Sequence, residues 1–226
     1  MEFGFRELAN YYDKWIQKAL PCFKDVFSIA TEIITFSKNN NIKVLDLGAG
    51  TGIFSNFIFK KFINANFILY DVADKMLKIA KQRFKNNLDQ FQFIVDDYRN
   101  LKTKNLGKFD LIISSLSIHH LKNSEKKNLF KDIFEVLKKN GIFLNIDQIK
   151  GETDCLQKIY WDKWLKKTRK NGGNETQIKS SIKRREDYDK DALLFNQIKW
   201  LKKAGFSDVD CVYKNYFIGL FFATKK

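Results

Sequence analysis

Three glycines at alternate positions follow a short apolar run in the stretch Val44 to Gly52. An amphipathic segment, Ile53 to Phe62, comes next, and the pattern predicts a buried strand, a tight turn and a helix. Because glycine has no Cβ, Gly48 and Gly50 can adopt backbone angles closed to other residues and let a ligand lie against the main chain. The helix N-terminus that follows favours a negative group such as a carboxylate. The turn is therefore a candidate binding surface.

The spacing of the glycines distinguishes this turn from the turns that bind dinucleotides. Those turns have the order G-x-G-x-x-G, which would place the third glycine where this chain has Ile53. Here the order is G-x-G-x-G and ends at Gly52. The spacing does not favour a nicotinamide or flavin dinucleotide, whereas a ligand without a pyrophosphate can still present a carboxylate to the helix.

Acidic residues end the next two predicted strands. The first strand, Asn66 to Val72, closes with Asp71, and a carboxylate there can accept hydrogen bonds from both hydroxyls of a ribose. The alternative role for Asp71 is to cap the next helix, but Asp74 is better placed for that. The following apolar run leads into Asp96 and Asp97, two carboxylates that need water or a donor such as the exocyclic amine of adenine.

The only two histidines of the chain, His119 and His120, follow a fourth apolar run, Lys108 to Ser115. A neutral imidazole beside a reacting centre can take a proton from an attacking hydroxyl or acid group. Adjacent histidines can equally cap the next helix or pack beside a ligand, so both interpretations stay open.

The stretch Asp46-Leu47-Gly48-Ala49-Gly50-Thr51-Gly52 resembles the first motif of the class I S-adenosylmethionine (SAM)-dependent methyltransferases, and the resemblance extends from about residue 42 to residue 146. It implies SAM as cofactor, with S-adenosyl-L-homocysteine as product. It also implies that Asp71 binds the ribose, that Asp97 and the Tyr98 amide face the adenine edge, and that the turn after Ser115 brackets the methionine half. The full set of cofactor-binding residues that it implies is Asp46, Gly48, Ala49, Gly50, Gly52, Asp71, Val72, Met76, Asp96, Asp97, Tyr98, Ser114, Ser115, Tyr12 and Phe23.

Strands and helices alternate about five times, which predicts an α/β fold with ligands at the carboxyl ends of parallel strands. With the resemblance, the expected sheet is Rossmann-like, doubly wound and seven-stranded, mainly parallel with an antiparallel last strand. We expect one methyltransferase domain over residues 1–226. It divides into a helical lid (1–40), a SAM-binding core (41–149), a helical insertion (150–192), and the last helix with the closing strands (193–226).

The lid and the insertion are the parts expected to shape the site. In related methyltransferases an aromatic-rich leading helix folds over the cofactor, which would bring Tyr11, Tyr12 or Phe23 near the methyl donor. The alternative is that these rings belong to the ordinary core. The insertion carries Trp161, Trp164 and a basic run, and we expect it to project over the ligand crevice and influence the choice of acceptor.

Composition limits the possible partners. The chain has 226 residues and a net charge of +15, which keeps RNA binding open as an alternative. Lysine is spread over most predicted helices, however, and this favours ordinary solvation of a lysine-rich chain. No apolar run reaches the roughly 20 residues that span a bilayer, so we expect no membrane contact and a cytoplasmic protein. Cys22, Cys155 and Cys211 are widely spaced, so neither a disulfide framework nor a metal site is expected.

Methyl transfer by in-line displacement is the predicted activity, because a sulfonium carbon is already electrophilic and the protein needs mainly to align donor and acceptor. Ser114-Ser115-Leu116-Ser117 lacks the prolines typical of base-amine methylation, and no cysteine nucleophile lies there. An oxygen, nitrogen or carbon atom of a small molecule is therefore the expected acceptor, with His119 or His120 as candidate base. The oligomeric state is left as monomer or homodimer.

Three alternatives remain. The chain is loosely similar to carboxy-S-adenosyl-L-methionine synthase of tRNA modification, where an arginine before the last helix holds the extra carboxylate, so Arg184 or Arg185 could do so here. It departs from that family at Phe23, where the synthase has tyrosine beyond the lid proline, and in the glycine spacing of its first motif. The other two are an RNA methyltransferase and a non-catalytic binding protein on the same scaffold.

Overall fold

A twisted central sheet organises the computed structural model, which describes the backbone of residues 5–226 and the side chains from Tyr12 onward. The strands are β1 (Lys43–Leu47), β2 (Asn66–Asp71), β3 (Phe91–Val95), β4 (Phe109–Ser115), β5 (Leu137–Lys150), β6 (Ala192–Leu193), β7 (Ser207–Asn215) and β8 (Ile218–Thr224). The helices are α1 (Phe5–Ala19), α2 (Phe23–Glu32), α3 (Ile53–Lys61), α4 (Asp74–Arg83), α5 (Asn123–Val136), α6 (Asp154–Lys170), α7 (Glu175–Tyr188) and α8 (Leu194–Ala204).

The strand order is β3-β2-β1-β4-β5-β8-β7, with the two-residue β6 paired to the end of β5. Strands β1 to β5 run parallel, while β8 is antiparallel to both β5 and β7. This confirms the predicted doubly wound sheet with its antiparallel last strand. The sequence did not predict β6, because two residues are too few to show a strand period.

Alternation along the strands sends side chains into two helical layers. Val44 of β1 packs in the cluster under α2, α3 and α4, while Leu45 and Leu47 pack in the cluster under α5 and α8. Neighbouring strands repeat the pattern, as expected for a parallel sheet covered on both faces. The sheet core is therefore apolar on both sides, and polar groups collect at its carboxyl edge.

Local sequence signals set the limits of the helices. Pro21 lies between α1 and α2. Gly205 ends α8 with a left-handed φ of 111°. Thr153 and Asn174 cap α6 and α7 by accepting the amide protons of residues three positions on. One prediction was wrong in detail, because Ala73 and not Asp74 is the residue that precedes α4.

The two helices between β5 and β6 pack against the leading helix. The indole of Trp164 in α6 is buried and donates a hydrogen bond to the carbonyl oxygen of Ala19, at 2.8 Å, at the end of α1. Lys18 Nζ donates to the carbonyl oxygen of Gly172, at 2.8 Å, in the turn between α6 and α7. Among the helices of residues 5–226, none is both long and apolar enough to cross a membrane.

Candidate active site

A cleft of about 440 Å³ lies at the carboxyl ends of β1, β2 and β4. The chain leaves β1 toward β2 and leaves the neighbouring β4 in the opposite direction, toward β5, so a crevice opens between the two loops. Helix α1 borders the cleft through Tyr12 and Ile16, and α7 borders it through Arg184. The site is therefore formed by the sheet edge, the leading helix and the inserted helix together.

The glycine turn forms the floor of the cleft. The amides of Gly48 and Ala49 donate to the carbonyl oxygen of Tyr70, at 2.8 and 3.2 Å, which fastens the turn to β2. Gly48 has a φ of 68°, and a Cβ at this position would lie 1.9 Å from Ser117 Oγ. Only glycine fits both the left-handed backbone and the contact with the turn after β4.

Asp71 supports the same turn from the end of β2. Its Oδ2 accepts the amide of Gly50 and its Oδ1 the amide of Ala73, both at 2.7 Å. The side chain is 9% exposed and lines the cleft. Burial raises the pKa of this carboxyl, and the two amide donors offset part of that rise. Each carboxylate oxygen retains a lone pair, so Asp71 can accept further hydrogen bonds from a ligand.

An apolar surface and an engaged carboxylate lie beyond Asp71. Val72 is 69% exposed and lines the cleft. Asp97 also lines it, but its Oδ1 accepts the Arg99 amide at 2.9 Å and its Oδ2 accepts Arg99 Nε at 2.8 Å. Tyr98 donates its hydroxyl proton to the carbonyl oxygen of Ser117 at 3.1 Å. Asp97 is thus already bound to Arg99, a cleft residue that the sequence did not suggest.

Two residues of the first motif lie outside the cleft. Asp46 is fully buried on the face of β1 beneath α3, where its Oδ2 accepts the hydroxyl of Ser55 at 2.7 Å. Burial raises the pKa of Asp46 to about 7. Gly52 begins α3, and a Cβ there would meet Phe84 at 2.8 Å, inside the core. Neither residue lines the cleft, and their assignment as direct cofactor ligands stays a prediction.

Asp96 and Ser114 are also directed away from the cleft. Asp96 pairs with Lys104 and accepts from Asn100, and these donors lower its pKa to about 2. Ser114 is buried and donates its hydroxyl proton to the carbonyl oxygen of Leu47 at 2.7 Å. In each case the neighbouring residue, one position further along the chain, is the one that lines the cleft.

The leading helices contribute different aromatic residues from those expected. Tyr12 lines the cleft as predicted, while the side chain of Tyr11 lies outside the described part of the chain. Phe23 packs against the rings of Phe27 and Phe57, at 4.9 and 5.9 Å between centroids, and does not border the cleft. Phe27, one helical turn later, does.

The two histidines occupy distinct positions. His119 is 3% exposed, with Nδ1 2.5 Å from Asp147 Oδ1 and Nε2 2.9 Å from Gln148 Nε2. Burial alone would lower the pKa of His119, but the carboxylates of Asp147 and Asp189 outweigh it and raise the pKa to about 9. His120 is partly exposed and lines the cleft, with Nδ1 3.1 Å from Asp189 Oδ1.

A second, smaller cavity of about 60 Å³ adjoins the cleft. The two share Tyr12, Ile16, Leu116 and Arg184. The smaller one is otherwise lined both by aromatic and apolar residues and by polar ones: Trp15, Ala19, Leu20, Trp164, Phe217, Ile218, His119, Gln148, Ser181, Arg185 and Asp189. Of the two arginines singled out by the sequence, Arg184 faces both cavities. Arg185 lines only the smaller cavity, where it pairs with Asp191 and stacks over the ring of Phe217, 4.4 Å from its centroid.

The sequence therefore identified much of the cleft but missed parts of it. The predicted residues that line it are Tyr12, Gly48, Ala49, Gly50, Asp71, Val72, Met76, Asp97, Tyr98, Ser115 and His120. The lining residues without a predicted binding role include Ile16, Phe27, Thr51, Ile53, Arg99, Leu116, Ser117, Leu121 and Glu125. Most of these are adjacent to a motif residue, so closeness along the chain was the available signal.

Sequence comparison finds similarity to methyltransferases and to a carboxy-S-adenosyl-L-methionine synthase. The family profile described as "Methyltransferase domain" matches residues 44–141. A carboxy-S-adenosyl-L-methionine synthase of Nautilia profundicola is 25% identical over 208 residues, which cover 92% of this chain and 88% of that protein. A malonyl-[acyl-carrier protein] O-methyltransferase of Ilyobacter polytropus is 37% identical over 145 residues, 62% of this chain and 51% of that protein.

Solved structures share the fold. Human N-acetylserotonin methyltransferase in complex with SAM matches 98% of this chain with a TM-score of 0.62 and 17% identity. An O-methyltransferase-like structure from Nostoc punctiforme matches 93% with a TM-score of 0.62 and 19% identity. The chain spans 54% and 60% of those two proteins. The glycine turn, the sheet order and the profile match over residues 44–141 support a class I methyltransferase that uses SAM as cofactor.

Proposed function

We propose that this protein transfers the methyl group of SAM to an oxygen, nitrogen or carbon atom of a small molecule by in-line displacement. The observation that carries the proposal is the cleft itself. It joins the glycine turn and the Asp71 carboxylate to an adjoining small cavity on the side of α1 and the insertion. A donor and an acceptor could then occupy adjoining spaces, and alignment of the two supplies most of the catalysis.

The adenosine half of SAM fits the β2 side of the cleft. Asp71 is positioned to accept the ribose hydroxyls, and the exposed Val72 offers an apolar surface for the adenine ring. Arg99 already donates hydrogen bonds to Asp97. We therefore assign recognition of the adenine edge to the Tyr98 amide and to the lone pairs of Asp97 that Arg99 leaves free. The methionine half would then extend along Gly48 and Gly50.

The sulfonium end would point toward Leu116 and the smaller cavity. A cavity of about 60 Å³ admits only a few heavy atoms, which favours a small acceptor over an RNA chain. Its aromatic walls would exclude water from the methyl path. The lid and the insertion form these walls, in keeping with the proposed division of one domain into lid, core, insertion and closing strands. The lysines follow solvent-facing positions, so RNA remains the less favoured partner.

Of the two predicted catalytic histidines, His120 is the better candidate for contact with an acceptor, since it alone borders the cleft. His119 is buried against Asp147 and would hold the side chains around it in place. A methyl acceptor that carries a proton would lose it on the His120 side of the cavity.

Calorimetric titration with SAM tests the cofactor assignment. We expect micromolar-range binding to the wild type and a loss of about tenfold or more in Asp71→Ala, because the ribose acceptor and the support of the glycine turn disappear together. Asp74→Ala is the matched control, since that carboxylate is exposed at the start of α4 and pairs only with Lys78. Unchanged affinity in Asp71→Ala would refute the assignment.

A carboxy-SAM synthase activity is the second candidate. Two observations favour it: relatives of that name span most of this chain, and Arg184 faces both cavities. An arginine there could hold a carboxylate attached to the transferred carbon. Mass spectrometry of the nucleoside that copurifies with the protein separates the two. A species heavier than SAM by one carbon dioxide, lost in Arg184→Gln and kept in the control Lys183→Gln, would establish the synthase; SAM alone supports methyl transfer.

A further inference from the structure

We infer that His119, His120 and Asp189 form a binding site for a divalent transition metal ion of the zinc class, with one coordination position open toward the cleft. The ligand atoms of the three side chains lie within 4.8 Å of one another. Asp189 Oδ1 is 3.1 Å from His120 Nδ1 and 3.5 Å from His119 Nε2. Ligands of tetrahedral zinc lie about 2.0–2.2 Å from the ion, which requires separations of this order between them.

Unsatisfied acceptors mark the centre of the cluster. Asp189 is 7% exposed, and its Oδ1 makes no hydrogen bond within the described chain despite the two nearby imidazoles. Its ion-pair partners in the same part of the chain are those imidazoles alone, because Arg185 is engaged by Asp191. A buried carboxylate needs a cation beside it, and a metal ion held between Asp189 and the two imidazoles would supply one.

Gln148 gives an independent indication. Its Nε2 lies 2.9 Å from His119 Nε2 and 2.8 Å from Asp189 Oδ2, while its Oε1 is buried without a partner. Rotation of the amide group by 180° exchanges its nitrogen and its oxygen, so that the oxygen then faces His119 Nε2 and Asp189 Oδ2. That arrangement is unfavourable in an empty site but favourable around a cation, to which the amide oxygen becomes a further ligand.

The surroundings of His119 fit a metal ligand. Its Nδ1 faces Asp147 Oδ1 at 2.5 Å, which holds a proton on Nδ1 and leaves Nε2 as the ligand atom once an ion displaces the Nε2 proton. A carboxylate behind a metal-bound histidine is the usual second layer of zinc sites. Two nitrogen donors favour zinc, cobalt or nickel over magnesium or calcium. A backbone hydrogen bond also holds the two histidines close to Asp189, which follows α7. Lys190 donates its amide proton to the carbonyl oxygen of His119 at 2.8 Å.

This site departs from the expectation of no metal drawn from the sequence. The histidines precede α5 and Asp189 follows α7, so their separation along the chain matches no metal motif. In space the cluster lies where the cleft meets the smaller cavity, because His120 borders the first and His119 and Asp189 border the second. If the proposed methyl transfer holds, the bound ion would bind an oxygen atom of the methyl acceptor at the open coordination position. The ion would then favour loss of the proton carried by that oxygen.

Binding of Zn²⁺ and Co²⁺ to the full chain tests the site without any substrate. We expect one equivalent of Zn²⁺ by calorimetry after chelator treatment, and Co²⁺ absorption bands typical of four- or five-coordinate nitrogen and oxygen ligation. His120→Ala and Asp189→Asn should each weaken Zn²⁺ binding by about tenfold or more. The matched controls are Asp187→Asn, which changes an exposed carboxylate near the end of α7, and Cys155→Ser, which changes an exposed thiol.

The outcomes separate this proposal from the proposed function. Absence of stoichiometric Zn²⁺ binding, or binding kept in both His120→Ala and Asp189→Asn, overturns the metal site and leaves SAM binding untouched. His120 is partly exposed, so its variant stays informative even if a buried substitution misfolds. SAM affinity measured in the presence of chelator tests the cofactor cleft alone, and its loss in Asp71→Ala does not depend on the ion.

Discussion

At the scale of single residues, the buried carboxyl of Asp46 makes stability depend on pH. Its pKa of about 7 exceeds the ordinary 3.8 because burial penalises the charge, with a smaller contribution from Asp71. The folded chain therefore keeps this proton to a higher pH than the unfolded chain. As pH rises from about 4 to about 7, the unfolded state loses the proton first and is favoured, so this group lowers stability across that window.

Asp46→Asn should remove that dependence. We expect urea unfolding to show that the free energy of unfolding of the variant, relative to that of the wild type, is higher at pH 8 than at pH 5. The expected difference is on the order of a few kcal/mol, since a tenfold change in proton affinity corresponds to about 1.4 kcal/mol. The amide keeps an oxygen for Ser55 Oγ, so the contact itself survives. A difference that stays the same at both pH values would contradict the assigned pKa.

Two glycines of the same turn should respond differently to alanine. Both have left-handed φ angles, 68° at Gly48 and 54° at Gly50, which cost about 1–2 kcal/mol for alanine. A Cβ at Gly48 would also overlap Ser117, whereas at Gly50 it would meet only Met76 Cε at 4.0 Å. We expect Gly48→Ala to lower the free energy of unfolding by about 1–3 kcal/mol more than Gly50→Ala in urea titrations. Equal losses would exclude the contact with Ser117 as the cause.

The residue types of the motifs could be predicted from the sequence, but the directions of their side chains could not. Asp46 lies two positions after Val44, so strand alternation places it on the same covered face beneath α3. The resemblance to a motif carries no such information. Likewise Arg184 and Arg185 are neighbours in sequence, yet only Arg184 lines both cavities, while Arg185 lines the smaller one and pairs with Asp191.

At the scale of elements, the sequence predicted most of the fold because each strand is an apolar run with a breaker at its end. The differences occur where pairing overrides local pattern. β5 extends from Leu137 to Lys150, and its first residues are included because Leu137 pairs with Phe109 across a bulge. Its far end is lengthened by pairing with β8 and with the short β6. Such pairing depends on distant residues and leaves no local period.

Helix α1 is fastened to the glycine turn by Asp13. Thr51 donates its hydroxyl proton to Asp13 Oδ1 at 2.8 Å, and Arg83 of α4 pairs with Asp13 while its Nε donates to the Thr51 carbonyl at 2.8 Å. This cluster joins the lid, the turn and α4. Because Tyr12 is the adjacent residue, loss of the cluster should release a wall of the cleft.

Asp13→Asn should therefore loosen α1 without unfolding the sheet. Hydrogen exchange should accelerate in residues 12–19 while β1 and β4 stay protected. Stopped-flow displacement should show faster SAM dissociation, by about tenfold, as expected for a lid that retains the ligand. Lys14→Gln is the matched control, since Lys14 is exposed on the same helix. The lid assignment fails if exchange in α1 equals that of the wild type.

At the scale of the whole molecule, SAM binding should stabilise the folded chain as a unit, because the cleft is formed by the lid, the sheet edge and the inserted helix together. A ligand at 100 times its Kd adds about 2.7 kcal/mol. For a chain of this length each kcal/mol raises Tm by about 2–4 °C, so we expect a shift of about 5–10 °C.

Thermal unfolding followed by circular dichroism measures this shift in Tm, with Asp71→Ala as the variant that should show little shift. A stabilisation as large in Asp71→Ala as in the wild type would place SAM elsewhere on the molecule. A shift seen only by the fluorescence of the insertion tryptophans would mean that the cap, and not the whole fold, responds to the cofactor.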